Sequence, residues 1–347
     1  MAKGLKKQEV ERIKQELEGC KDPLFFFHDD PDGVCSFLLL YRMKHEGHGV
    51  ILKIPPEMGP NFLRKVDEYS PDKIFILDKA QVSQEFIDGA KRTVVWIDHH
   101  EPQKKDHVLY FNPRVHDKKA NVPVSYLCYQ VSKKDLWISA VGTTGDWFVH
   151  PDIEKFRKRY PKLVPNKTNK PEELFFATPL GKLARIFSFI LKGDNKGAMK
   201  CVKILTRIKE PEEILEQKSP AGKFIYKRYE TVNKDYQDLL NAALEEVTDN
   251  NLLLYIYDES RNSFTSDLSN ELLFRFPEKI ILIGRKKGDE IKFSMRSSKL
   301  ILPPLIKRIL RGVEGYGGGH EHACGICIKK KDKETFFENL REELEKI

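Results

Sequence analysis

Residues 25–36, FFFHDDPDGVCS, place one histidine and two aspartates at alternate positions directly after an apolar run. Because alternate residues of an extended chain project to the same side, we expect His28, Asp30 and Asp32 to converge. A proline and a glycine shape the turn, and the first amides of the following helix point into the same space. Carboxylates clustered in this way are unfavourable unless a cation neutralises them, so the segment predicts a metal site.

Two further apolar runs end in polar side chains that could bind a metal. Asp78 ends the run FIL, and Asp98, His99 and His100 end a run that closes in WI. Neutral imidazoles are common ligands of divalent transition metals, and a neighbouring carboxylate fixes their tautomer. Asp146, in VGTTGDWF, follows small residues that allow helices to pack closely. Taken alone, Asp78 would be interpreted as a turn former or a helix cap, and Asp146 as the N-cap of a helix.

Short apolar runs alternate with helical patterns in the first half of the chain, which predicts a parallel β-sheet covered by helices on both faces. The expected strands are Leu24–Phe27, Val50–Ile54, Lys73–Leu77 and Thr93–Ile97. The expected helices are Val34–Lys44, Asn61–Tyr69 and Val82–Ala90. Since such sheets bind ligands beyond the carboxyl ends of their strands, the polar strand ends would form one site. Two metal ions roughly 3.5–4 Å apart could share a bridging carboxylate there and clamp a phosphoryl group.

The second half of the chain is helical from Ser125 to Val247, apart from a proline- and lysine-rich stretch at 160–171 that predicts an exposed loop. The charged segment Ala221–Glu246 predicts a connecting helix, and a second, smaller domain begins near Leu252. The prediction is an α/β fold with three parts: a parallel-sheet catalytic domain at 1–195, a helical connector at 196–248, and a smaller α/β substrate-binding domain at 249–347.

The glycine-rich segment of the second domain predicts a loop that binds phosphate. Gly317, Gly318 and Gly319 would let backbone amides approach a phosphate or a terminal nucleotide closely. His320 and Arg296 would add charge-assisted donors. A plain flexible loop is the alternative, and it fits less well beside a strand and an Arg-Ser-Ser segment.

Composition favours a polyanionic partner. The 347 residues contain 60 Lys and Arg against 52 Asp and Glu, a formal net charge of +8. No apolar run reaches the roughly 18 residues of a membrane span, so we expect no membrane association and a cytoplasmic location. Six cysteines without a disulfide rhythm indicate a reducing compartment. The lone CxxC of Cys324 and Cys327 offers too few ligands for a zinc site.

These motifs, taken in order, resemble a known family. The set HxDxDG, a strand-end aspartate, DHH and GTxxD resembles the four motifs of the DHH phosphoesterase superfamily. The later GGGH resembles the signature of the C-terminal DHHA1 domain in that superfamily's RecJ and nanoRNase branch, and SMRSS resembles that domain's strand with a phosphate-contacting arginine. The motifs run from residue 28 to residue 325, so the resemblance covers nearly the whole chain.

The resemblance implies a metal-ligand set. It implies two ions, for which the mixed oxygen and imidazole ligands favour Mn²⁺, with Mg²⁺ or Co²⁺ as alternatives. The implied ligands are His28 and Asp30 for the first ion, Asp32, His99 and Asp146 for the second, and Asp78 bridging both. His100 would face the scissile phosphate, and Asp98 would orient the histidine pair. Bacterial RecJ-like members often have aspartate in place of His28, so the first ion would bind with a different affinity here.

The resemblance also implies the activity. The leading hypothesis is an exonuclease that releases mononucleotides from single-stranded RNA or DNA. The alternative is a nanoRNase or small-nucleotide phosphatase that acts on short oligonucleotides, a cyclic dinucleotide or a 3′-phosphonucleoside phosphate. An inactive replication scaffold would have gaps in the ligand set, and this chain has none. Digestion polarity, oligomeric state and a replication or repair partner stay open.

Overall fold

The chain folds into two compact units, Met1–Glu230 and Thr231–Ile347. The computed structural model describes residues 4–53, 57–165, 168–260 and 262–346. Ile54, at the end of one expected strand, and residues 166–167 of the expected loop lie outside these ranges. The boundary between the units falls within one long helix, so the three domain ranges given above stay a prediction.

Unit 1 is built on a parallel sheet. Its strands are β1 (Pro23–His28), β2 (His48–Leu52), β3 (Glu57–Met58), β4 (Lys73–Leu77), β5 (Gln81–Val82), β6 (Thr93–Ile97) and β7 (Leu109–Phe111). Five of them form one sheet in the order β2-β1-β4-β6-β7, and β3 pairs with β5 in a small second sheet. All pairs in the main sheet are parallel, which confirms the predicted fold class. Its central strands are apolar runs buried on both faces, as parallel sheets require.

Helices cover both faces of this sheet. Those of unit 1 are α1 (Lys7–Glu18), α2 (Pro31–Lys44), α3 (Leu63–Tyr69), α4 (Gln84–Ala90), α5 (Val124–Ser132), α6 (Leu136–Gly145), α7 (Ile153–Arg159), α8 (Pro171–Ala177), α9 (Pro179–Ile190), α10 (Asn195–Leu205) and α11 (Glu212–Leu215), followed by α12 (Pro220–Glu245), which continues into unit 2. Side chains of α3 and α4 pack on one face of the sheet. The helices α5 and α6 pack against α2, and α9 packs against α6.

The start of α2 corrects the expected helix, which began at Val34. The helix begins at Pro31, because the Asp30 carboxylate accepts a hydrogen bond from the Gly33 amide at 2.9 Å and caps it. Proline suits the first position, whose amide would be unsatisfied in any case. The helix therefore starts inside the HxDxDG motif, and Asp32 lies on its first turn.

Unit 2 is a mixed sheet with helices. Its strands are β8 (Leu252–Tyr257), β9 (Ile280–Lys287), β10 (Glu290–Arg296), β11 (Gly315–His320) and β12 (Ala323–Lys329), in the order β11-β12-β10-β9-β8. Only the β8–β9 pair among these is parallel. The helices are α13 (Thr265–Arg275), α14 (Leu302–Ile309) and α15 (Lys333–Leu344). Apolar residues of α14 and α15 pack with the sheet in one core, as expected for a smaller α/β domain.

The glycine-rich segment is a β-strand, which corrects the expected loop. The strand β11 pairs antiparallel with β12 and forms one edge of the sheet. The close approach excludes side chains, because a Cβ at Gly319 would lie 2.4 Å from the Ala323 carbonyl oxygen and one at Gly317 would lie 2.8 Å from Ile306. The backbone of Gly319, at φ 148°, also suits glycine.

All six cysteines are unpaired and buried. Cys324 and Cys327 lie three positions apart on β12, so their side chains project to opposite faces of the sheet. Within the described ranges, every helix falls short of the length or the apolar character that a bilayer crossing requires.

Candidate metal centre

Three neighbouring strands deliver the candidate ligands to one edge of the unit 1 sheet. The strands β1, β4 and β6 are adjacent in the sheet, and all run in the same direction. His28 is the last residue of β1, Asp78 follows β4, and the Asp98–His100 segment follows β6. The carboxyl ends of parallel strands are where such sheets bind ligands, and the structure brings these residues together there.

One group of potential ligands contains His28, Asp30 and Asp78. The His28 Nδ1 atom lies 2.7 Å from Asp30 Oδ2 and 3.5 Å from Asp78 Oδ2. Asp78 is 2% exposed, and its backbone has the left-handed φ of 56°, which aspartate tolerates better than most residues. The Asp78 amide donates to the Ile97 carbonyl at 3.0 Å, which anchors the residue to the neighbouring strand.

A second group contains Asp32, His99 and Asp146. The His99 Nδ1 atom lies 3.8 Å from Asp146 Oδ2, and its Nε2 atom lies 3.4 Å from Asp78 Oδ1. His99 is therefore between the carboxylate at the end of β4 and the carboxylate at the end of α6. These two groups contain residues that the motif resemblance implies for the two ions, and their role as ligands stays a prediction.

The start of α5 holds Asp32 in place. The Asp32 carboxylate, 1% exposed, accepts hydrogen bonds from the amides of Val124 at 2.7 Å and Ser125 at 2.9 Å, and from the Ser125 hydroxyl. Helix N-termini favour anions, because their first amides are unsatisfied and the helix dipole is positive there. Ser125 could not be identified from the sequence, because it lies 93 positions from Asp32. The only local feature that could have pointed to Ser125 is the Pro-Val-Ser segment at the start of α5.

Two glycines of α6 allow Asp146 to reach the centre. A Cβ at Gly145 would lie 2.5 Å from the Cβ of Pro31, and one at Gly142 would lie 2.5 Å from the Ser125 hydroxyl. The helix α6 therefore packs against the first turns of α2 and α5 without intervening side chains. This close packing places Asp146, which follows α6, beside His99.

The third group contains Asp78, His99 and His100. The His100 ring donates from Nδ1 to Asp98 Oδ1 at 2.8 Å, and its backbone amide donates to Asp98 Oδ2 at 3.0 Å. Asp98 is fully buried, and the side chain of Asn112 donates to it at 3.4 Å and to the His100 carbonyl at 3.0 Å. Like Ser125, Asn112 holds a candidate functional residue in place but belongs to none of the motifs. The only local feature that could have pointed to it is the Asn-Pro turn after β7.

The crowded charges shift the pKa values of the centre strongly. Burial lowers the pKa of His28, but Asp30 and Asp78 outweigh it and raise that pKa to about 12. Burial also lowers the pKa of His99, but the carboxylates of Asp78 and Asp146 outweigh it and raise that pKa to about 10. Burial and repulsion from Asp78 raise the pKa of Asp32 to about 7. Burial and the Asp32 charge hold the pKa of Asp146 well above its usual range. The carboxylates therefore repel one another and require a positive charge.

The residues present fit a divalent cation. Two buried atoms of the centre, Asp78 Oδ2 and His99 Nδ1, have no hydrogen-bond partner in the part of the chain that the structure describes. Carboxylate oxygens and imidazole nitrogens are the ligand types that Mn²⁺ accepts, and a bound cation would satisfy both atoms and offset the repulsion.

The candidate substrate residues of unit 2 cluster at one end of its sheet. Arg296 on β10 and His320 on β11 both lie opposite Ala323, on either side of β12. The Arg296 Nε atom donates to Asn270 at 2.7 Å, and its Nη1 atom donates to the Met295 carbonyl at 2.9 Å, so the guanidinium is held in place. Gly317, Gly318, Gly319 and His320 are exposed on the edge strand.

Comparison with solved structures shows the fold. RecJ from Thermus thermophilus in complex with Mn²⁺ aligns with 100% of this chain at a TM-score of 0.70 and 14% identity, but this chain spans only 56% of that RecJ. An exonuclease RecJ bound to manganese aligns with a TM-score of 0.64 and 15% identity, over 100% of this chain and 96% of the other. The pGpG-specific phosphodiesterase PggH from Vibrio cholerae aligns at 0.50 and 15%, over 94% and 99% of the two chains.

Comparison with protein families locates both domains. The model of the DHH family, N-terminal domain, matches residues 24–142, which include every candidate ligand except Asp146. The DHHA1 domain model matches residues 250–346. Among curated proteins, none matches the chain. The two ordered matches confirm the motif resemblance: the chain contains a DHH family N-terminal domain and a C-terminal DHHA1 domain.

Proposed function

We propose that this chain is a metal-dependent phosphodiesterase, a RecJ-like exonuclease that releases mononucleotides from an end of single-stranded RNA or DNA. One observation carries the proposal. Three overlapping groups of carboxylates and imidazoles meet at the ends of adjacent parallel strands, and Asp78 belongs to two of them. That arrangement suits two cations with a shared carboxylate, as in enzymes that clamp a phosphoryl group.

In the proposed enzyme, His28 and Asp30 would hold one Mn²⁺, and Asp32, His99 and Asp146 would hold the other. Asp78, which lies near both His28 and His99, would contribute to both sites, and Mg²⁺ or Co²⁺ would suit the same ligands. When bound, the cations supply Lewis acidity, which stabilises negative charge on the phosphoryl oxygens and makes water more acidic. The chain itself fixes the ligand geometry through the start of α5 and the glycines of α6.

We assign the substrate-facing role to His100. Its Nδ1 proton is held by the buried Asp98, which in turn is held by Asn112. The Asp98 carboxylate therefore fixes the orientation of the ring, and Nε2 would be the atom that contacts a phosphate oxygen or the leaving group. Its side chain is 40% exposed, as contact with a substrate requires.

The DHHA1 domain would bind the terminal nucleotide. The exposed backbone of the glycine strand and the fixed guanidinium of Arg296 offer donors to a phosphate, with His320 beside them. The formal charge of +8 would attract a polyanionic backbone, so binding to long strands should weaken with salt.

A second candidate, action on short oligonucleotides or small nucleotides, is favoured by one comparison. PggH, whose printed name specifies pGpG, aligns with this chain over 99% of its own length. A chain of similar extent could therefore act on a dinucleotide. The chemistry would be the same, and only the accepted length of substrate would differ.

The test is hydrolysis of end-labelled single strands of RNA and DNA, from two to about thirty nucleotides long, in the presence of Mn²⁺. We expect ladders of shortened products that depend on the metal, are lost in Asp78→Asn and are retained in Asp88→Asn, an exposed aspartate outside the centre. Cleavage confined to the shortest strands would favour the second candidate. Absence of cleavage on every strand with Mn²⁺ bound would refute the exonuclease proposal.

A further inference from the structure

A tryptophan in an unusual backbone conformation directly follows the candidate ligand Asp146. Trp147 has a φ of 55°. Its amide donates to the Thr144 carbonyl at 3.2 Å, and the Phe148 amide donates to the Thr143 carbonyl at 2.9 Å. This pair of bonds ends α6 in a Schellman motif, whose left-handed position is usually glycine. A bulky residue there is strained, and such strain concentrates at functional sites.

Trp147 is also the exposed member of the three tryptophans. Trp96 and Trp137 are buried, whereas Trp147 is 37% exposed. Its ring stacks on Phe175, with centroids 5.0 Å apart and planes at 23°, and lies 5.5 Å from Phe176. The indole is therefore held on one side by aromatic rings and open to solvent over part of its surface.

A cation borders the same aromatic cluster. The Arg185 guanidinium lies over the rings of both Phe175 and Phe176, at 5.9 and 5.6 Å from their centroids. All four side chains belong to unit 1, as the metal centre does. An aromatic face bordered by a guanidinium is the surface that proteins use to stack a nucleobase while they attract its phosphate backbone.

A purely structural role explains these observations less well. A Schellman motif gains from an apolar contact, but that contact normally involves the residue after the left-handed position, which is Phe148 here. Glycine at position 147 would end the helix without strain. A tryptophan that served the core would be buried like Trp96 and Trp137.

We infer that Trp147 is the stacking platform for the nucleobase of the nucleotide whose phosphate lies at the metal centre. The inference rests on the proposed function and deepens it, because it makes the base part of what unit 1 recognises. Every base has a π-face, so the platform would accept all four bases and would discriminate nucleotides from sugar phosphates.

The experiment compares AMP with ribose 5-phosphate, which lacks the base, by titration calorimetry of the full chain with Mg²⁺. We expect AMP to bind more tightly than ribose 5-phosphate. Trp147→Gly should weaken AMP binding by about 5- to 150-fold, the range of one lost stacking contact, and Trp147→Phe should stay within a few-fold of the parent chain. Ribose 5-phosphate should bind equally to all three proteins.

Two further readouts separate the outcomes. AMP, but not ribose 5-phosphate, should quench tryptophan fluorescence, since the other two indoles are buried. Glycine suits the left-handed position, but Trp147→Gly also removes the stacking on Phe175. Unchanged binding of ribose 5-phosphate and a cooperative thermal transition would therefore show that weaker AMP binding does not reflect misfolding. Equal binding of AMP and ribose 5-phosphate would overturn this inference alone. If neither ligand bound while end-labelled strands were still cleaved, this inference would fall and the proposed function would stand.

Discussion

Asp78 links the two halves of the candidate metal centre. It lies 3.5 Å from His28 through one oxygen and 3.4 Å from His99 through the other. The two imidazoles hold its pKa well below the usual range, although burial opposes this. In the metal-free chain these histidines are therefore the cations that balance the carboxylates. A metal ion must replace their protons as it binds.

The first prediction is that metal binding releases protons. With pKa values of about 12 and 10, His28 and His99 are protonated at neutral pH in the metal-free chain. Both must be neutral to bind a metal, so we expect release of at least two protons, with a further contribution from Asp32 and Asp146, whose pKa values are raised. The affinity should rise with pH. Titration calorimetry with Mn²⁺ in PIPES and in Tris, at the same pH, measures the number released.

The matched control for this prediction is Asp78→Asn. Without the carboxylate, the pKa values of both histidines should fall, so the variant should bind Mn²⁺ more weakly and release fewer protons. A binding enthalpy that is the same in the two buffers, or an affinity that falls as pH rises, would contradict the prediction.

At the scale of elements, the packing of α6 against α2 and α5 determines where Asp146 lies. We predict that Gly142→Ala destabilises the fold by about 1–3 kcal/mol and weakens Mn²⁺ binding. The new methyl group would lie 2.5 Å from the Ser125 hydroxyl and 2.8 Å from Cys35, so α6 must shift. Urea unfolding and Mn²⁺ titration measure the two effects.

Gly197→Ala on α10 is the control for that substitution. The nearest side-chain atom to its new methyl group would be 3.5 Å away, an ordinary contact. Alanine is the better helix former by roughly 1 kcal/mol, so this variant should be at least as stable as the parent chain and should bind Mn²⁺ unchanged. Equal effects at the two positions would show that α6 packing does not control the centre.

The strands of the centre were predictable because their signal is local. The strands Lys73–Leu77 and Thr93–Ile97 have the predicted bounds, since a strand buried on both faces is a continuous apolar run with polar residues at its end. For the segment with three consecutive glycines in β11, the prediction from local sequence was wrong, because a loop was expected and the segment is a strand. Glycine favours loops locally, and only pairing with β12 makes that segment a strand.

The supporting residues were not predictable, because they act through tertiary contacts. Ser125 holds Asp32 across 93 positions, and Asn112, directly after the neighbouring strand β7, holds Asp98. Neither residue type at such a position is unusual in a sequence. The motifs therefore identified the candidate ligands, and the folded chain was needed to show what fixes them.

At the scale of the whole molecule, the candidate ligands all belong to one of two compact units. We predict that Mn²⁺ stabilises unit 1 and leaves the thermal transition of unit 2 in place. When free Mn²⁺ is at a hundred times its Kd, one bound ion adds about 2.7 kcal/mol to the free energy of unfolding of unit 1. For a unit of this size, that corresponds to a rise in Tm of about 5 to 10 °C. Scanning calorimetry with and without Mn²⁺ measures the shift.

For that prediction, Asp78→Asn is again the informative control, since its unit 1 transition should no longer respond to Mn²⁺. A rise of both transitions by the same amount, in the parent chain and in the variant, would show that the ion acts elsewhere.

The burial of all six thiols has a practical consequence. Alkylating reagents react with exposed thiolates, so the native chain should be inert to them until it unfolds. A single cysteine introduced on the surface would then be the one site that reacts. Spin labels or fluorophores could be attached to each unit in turn without removing any native residue, and distances between the units could be measured while nucleic acid is bound.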